Sequence, residues 1–87
     1  DARSALNVLE GAVALAEVEG PQAALDAIAP LAQDKRMLGY QPYWAARAGL
    51  LARSGDATAA DRAYERAIGL ESDQAVRRFL QQRRAES

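Results

Sequence analysis

Arg77, Arg78, Arg83 and Arg84 bracket Phe79 and Leu80 and form the only basic cluster of the chain, a pattern suited to nucleic acid or to an acidic protein surface. The competing use is structural: a terminal helix needs a solvated outer face, arginine supplies it, and the acidic first third of the chain offers a surface to pair with. Tyr40, Tyr43 and Trp44 bring three aromatics into five residues, enough to stack on a base or a sugar. Packing is the better use for them, with Tyr40 and Tyr43 covering a loop and Trp44 at a packing position of a helix. Arg62, Glu65 and Arg66 beside Asp61 read as an exposed helix face with pairs at three- and four-residue spacing. The chain has neither cysteine nor histidine, which removes disulfides, thiolate and imidazole metal sites and Ser-His-Asp catalysis together. No carboxylate pair has a supporting base, metal ligand or phosphate loop beside it, so no catalytic, cofactor or metal-binding residue is assigned. The chemistry left is that of a binding surface.

That surface must be built from helices. Of 87 residues 49% are hydrophobic, but 21 are alanine, whereas valine, isoleucine and threonine together number seven. Small apolar side chains and few strand formers predict an all-α domain. At this length only about 60% of the unfolded chain's surface is buried on folding, so the core is thin. The net charge of −1 gives no nucleic-acid or membrane footprint. Its distribution is uneven, with six acids and one base up to Asp34, then ten bases and six acids from Lys35. No apolar run approaches the roughly 20 residues of a membrane span and no signal-peptide pattern opens the chain, so the cytoplasm is the expected compartment. A first residue that is not Met, leading directly into a helical pattern, is the expected mark of a piece of a longer protein.

Apolar spacing predicts helix one over Ser4 to Glu19, stopped by Gly20-Pro21, and helix two from Pro21 to about Gln33, with a kink or loosening at Pro30. Asp34 to Gln41 reads as the longest loop. Helix three runs from Pro42 to Ser54-Gly55, helix four follows the capping oxygens of Asp56 and Thr58 and reaches about Leu70, and helix five spans about 73–86. Its apolar side is Val76, Phe79 and Leu80.

A 36-residue offset sets Val8 against Trp44, Ala12 against Ala48, Leu15 against Leu51, Ala24 against Ala60, Ile28 against Tyr64 and Leu31 against Ala67. The second unit resembles the tetratricopeptide repeat: an aromatic opens its first helix, Ala48 follows four residues later, Gly55 makes the turn, and Ala60, Tyr64 and Ala67 take the small, large and small places of its second helix. Arg47 and Ser72 depart from the usual leucine and proline, and the Gly-Pro turn of the first unit is displaced by one residue. The resemblance implies a single domain over 1–87, with repeats over about 4–33 and 42–71 and a capping helix. Ala48, Ala60 and Ala67 would let helices approach closely while Trp44, Tyr64 and Phe79 fill the spaces between pairs. The inner face of each first helix would line a groove, with Leu6, Leu9, Val13 and Ala16 from one unit and Ala45, Gly49, Ala52 and Arg53 from the other. The occupant of so apolar a groove would be a partner helix or domain. The alternative, that helix one rotates to bury these residues, stays open at this stage.

Ala12 to Leu25, Ala-Val-Ala-Leu-Ala-Glu-Val-Glu-Gly-Pro-Gln-Ala-Ala-Leu, is more particular than a generic repeat. It resembles the C-terminal tetratricopeptide-like extension of a group of extracytoplasmic-function RNA polymerase sigma factors. Leu38-Gly39-Tyr40, Pro42-Tyr43, Ala45-Ala46-Arg47-Ala48, Leu50-Leu51, Ala63-Tyr64 and Arg77-Arg78-Phe79-Leu80 are similar to that extension in order and spacing, while Glu10 and Gly11 depart from its usual Asn-Arg. The resemblance implies a bacterial transcription factor whose promoter-reading domains are absent from this fragment, so that DNA is met only through those domains. The fragment would be regulatory, contacting its own sigma domains or the polymerase core, and an uncovered groove would favour a homodimer of the isolated piece. The residues alone equally describe a free-standing adaptor that binds a peptide and has no link to transcription.

Overall fold

Helix boundaries are set by a few residues with special backbone or capping properties. The computed structural model describes residues 2–87, so Asp1, counted above among the acids, lies outside them. Helix α1 covers Ala2–Glu19, α2 Pro21–Ile28, α3 Gln41–Ser54, α4 Ala57–Leu70 and α5 Gln74–Glu86. Among the described residues there is no strand, and no helix is long and apolar enough to cross a membrane. All three prolines sit in the first turn of a helical segment, and for Pro21 and Pro42 the missing N–H costs nothing. Gly20, at φ 96° and ψ 166°, turns the chain between α1 and α2 in a region closed to other residues. Gly55 adopts the left-handed conformation, φ 91° and ψ 4°, and ends α3 in a Schellman turn: its N–H donates to the Ala52 carbonyl, and that of Asp56 donates to Leu51. The glycine displacement seen in the sequence therefore joins two different turns.

Aspartates start the later helices. Asp56 Oδ1 accepts from the Ala59 N–H at 3.1 Å, and Asp73 Oδ1 from the N–H groups of Ala75 and Val76 at 2.8 and 3.4 Å. Helix two is shorter than its apolar period. Its α-helical part stops at Ile28 and the chain tightens into a 3₁₀ turn over Ala29–Gln33, because Pro30 has no N–H for the Asp26 carbonyl. The expected loop is itself helical: Asp34 accepts from the Arg36 N–H at 2.9 Å and caps a second 3₁₀ turn, Lys35–Gly39.

Each helix packs on the next, and α1 also packs on α3. Helices joined by one or two residues and packed along their length must run antiparallel, so α1–α2 and α3–α4 are two hairpins laid side by side. Ala24, Ala48, Ala60 and Ala67 are completely buried, and the larger Tyr64 and Ile28 are buried with them. Tyr43, expected over the loop, lies instead in the core at 2% exposure and makes a perpendicular ring contact with Trp44 at 5.1 Å. The Trp44 indole N–H donates to the Met37 carbonyl at 2.8 Å, which ties the second 3₁₀ turn to α3.

Candidate protein-binding groove

The side of α1 that faces the rest of the molecule is chosen by its alanines. Ala5, Leu9, Ala12 and Ala16 recur at three- and four-residue steps and are all buried. Sequence spacing placed Leu9 and Ala16 in the groove. Both are core residues, 3% exposed, because a stripe that is mostly alanine lets α2 and α3 approach more closely than one of leucine and valine would. Leu6 and Val13, the other two groove residues expected from α1, stay exposed at 41% and 49%.

Val13 meets the second hairpin in a recess of about 170 Å³ lined also by Ala45, Ala46, Gly49, Leu50, Arg53 and Arg83. Gly49, Ala52, Arg53 and Arg83 continue into an adjoining recess of about 290 Å³, closed by Tyr64 and by Glu86 and Ser87 at the end of α5. Five of the eight expected groove residues, Val13, Ala45, Gly49, Ala52 and Arg53, thus come together. Leu6 lines neither recess. The wall supplied by α5 was not expected from sequence, since Arg83 was read as part of a solvated cap. The result is an apolar floor between two guanidiniums, those of Arg53 and Arg83.

Arg53 bonds weakly across to Glu17 of α1 at 3.4 Å, an exposed pair that contributes little energy but fixes which positions lie opposite. The two residues are 36 positions apart, the same as the internal sequence offset. At this one point α1 and α3 therefore bring residues at the sequence offset beside each other.

Helix α5 is turned differently from its apolar pattern. Leu80 is buried and Val76 half-buried, and one further four-residue step brings Arg84 to the same side. There Arg84 makes a two-pronged pair with Asp61 of α4, at 2.6 and 3.0 Å, and reaches Glu65 at 3.6 Å. The hydrogen bond from Arg84 holds the Asp61 carboxyl below its ordinary value, and the same bond raises Arg84. Phe79, expected between the helix pairs, is 58% exposed because this register turns it away from α4. Its ring instead lies under the Arg83 guanidinium at 5.8 Å. Of this cluster Arg84 is received by Asp61 and Glu65 of α4, not by the acids of the first third. Among the described residues no group of three or more acids, histidines or cysteines is placed to hold a metal ion.

No known family model matches the chain, and no solved structure matches it. Over 62 residues it is 45% identical to an uncharacterized protein of Rhizobium meliloti (strain 1021), an alignment that takes in 71% of this chain and 14% of the relative. The chain thus spans a small part of that relative's length.

Proposed function

We propose that the chain is a two-repeat, tetratricopeptide-like regulatory unit from the C-terminal extension of an extracytoplasmic-function RNA polymerase sigma factor. Its groove binds a protein surface, either the factor's own sigma domains or the polymerase core, and so sets whether transcription starts. The observation that carries the reading is the neighbouring of Glu17 and Arg53 at the repeat offset. It supports two translated hairpins whose first helices share one open face, the arrangement that extended repeats use to bind partners. The ordered matches from Ala12 to Leu80 supply the link to sigma factors, and a relative much longer than the aligned segment agrees with a unit carried inside a larger protein.

The test is transcription from a target promoter by the full-length factor carrying Val13→Glu. Val13 lines the groove and is half exposed, so the carboxylate leaves folding intact and meets the partner instead. A several-fold loss of transcription with unchanged helix content supports the proposal, whereas unchanged transcription removes the groove from it. Leu9→Glu does not serve, because a buried unpaired charge unfolds the domain whatever its function.

A further inference from the structure

Two adjoining faces of α4 carry opposite charges, Asp61 and Glu65 on one and Arg62 and Arg66, about 100° further around the axis, on the other. Asp61 and Glu65 are taken up by Arg84 of α5, so the intrahelical pairing with Arg62 and Arg66 expected from their spacing does not form. Arg62 and Arg66 instead border a separate recess of about 290 Å³ together with Arg47 and Trp44 of α3, floored by Ala59 and Ala63. Three guanidiniums share this recess, and no acidic side chain lines it. Arg47 also borders the neighbouring cleft that contains Asp26 and Asp56, yet none of the ion pairs within 4 Å among the described residues involves Arg47, Arg62 or Arg66.

Arg66 is held in place. Its Nη2 and Nε both donate to the Leu38 carbonyl, at 2.7 and 3.2 Å, and its guanidinium lies 5.3 Å from the centre of the Trp44 ring. A guanidinium fixed by a neutral carbonyl and an aromatic face keeps its full charge and has N–H groups to spare. Arg47 and Arg62 bring two further positive charges to the same recess.

We propose that the Arg47–Arg62–Arg66 recess is a second binding site, distinct from the groove, for an acidic protein segment presenting neighbouring carboxylates. Arginine forks match carboxylates in a bidentate way, and the alanine floor leaves room for their side chains. Nucleic acid shares the charge but fits less well. One face of Trp44 is already covered by Arg66 and its N–H is used by Met37, so the ring is no platform for a base.

Trp44 is the only tryptophan and stands in the wall of the recess, so its emission reports occupancy. Titration of the chain with hexaglutamate at low ionic strength produces a saturable change in Trp44 fluorescence. Arg62→Gln, a residue with no bond to the rest of the fold, weakens binding about tenfold, the effect of losing one charge-assisted hydrogen bond. Arg78→Gln, the same charge change on exposed α5, leaves affinity unaltered. Arg66→Gln repeats the loss, and circular dichroism separates it from any loosening of the Leu38 turn. The proposal is overturned by the absence of a saturable signal, by equal losses in Arg62→Gln and Arg78→Gln, or by binding of a thymidine hexanucleotide in preference to hexaglutamate. None of these outcomes depends on the sigma-factor reading.

Discussion

Leu6 and Leu9 are the same side chain three positions apart on one helix, yet one is 41% and the other 3% exposed. Truncation distinguishes them. Leu9→Ala removes a core side chain and leaves a partial cavity, so it lowers stability by about 2–5 kcal/mol. Leu6→Ala removes a partly solvated one and costs under about 1 kcal/mol. Paired thermal melts followed by circular dichroism check the difference, and equal losses contradict the rotation of α1. Ala60 tests packing in the other direction. It has no exposed surface where α4 meets α3, and leucine there costs about 1–3 kcal/mol through overpacking. A melt that does not move means the helix axes have room to separate.

Most element boundaries were legible because they depend on single residues acting locally: Gly20 and Gly55 for turns, Asp56 for the cap of α4, and Pro30 for the loosening of α2, whereas Thr58, expected beside Asp56 as a cap, lies inside α4. Helix rotation was not legible where apolar residues surround the axis. In α1, Leu6, Val8, Leu9, Val13 and Val18 point in several directions, and period alone cannot decide which of them faces α2. The deciding signal was the alanine stripe at 5, 12 and 16, since closeness of approach outweighs side-chain size there. In α5 the body-facing stripe passes from Val76 and Leu80 to Arg84, and a rule that puts arginine outside hides it. The Arg47–Arg62–Arg66 recess was equally hidden, because it joins residues of α3 and α4 that only the packing of the two helices brings together. Gly55 gives the prediction that belongs to this scale. Alanine at its positive φ costs about 1–2 kcal/mol despite open space around the position, and a reduced urea midpoint with unchanged helix content is the expected result.

At the scale of the whole molecule, α5 packs mainly on α4 and is fastened there by one buried leucine and the Asp61–Arg84 pair. Because Arg84 lowers the Asp61 carboxyl below 3.8, the folded state binds that proton less readily than the unfolded chain does. The pair's contribution is therefore complete above pH 3.8 and disappears as pH falls through the lowered folded value. Asp61→Asn removes the charge at every pH. The urea midpoint of the parent should exceed that of Asp61→Asn at pH 6, and the two should converge as the pH is taken below 3.8. A constant difference across that range means that Asp61 acts through packing and not through its charge. The same loosening would move Arg83, which shares α5 with Arg84 and walls the groove beside Val13. Protonating Asp61 therefore weakens the hold on the α5 wall of the groove, and the parent's stability falls toward that of Asp61→Asn.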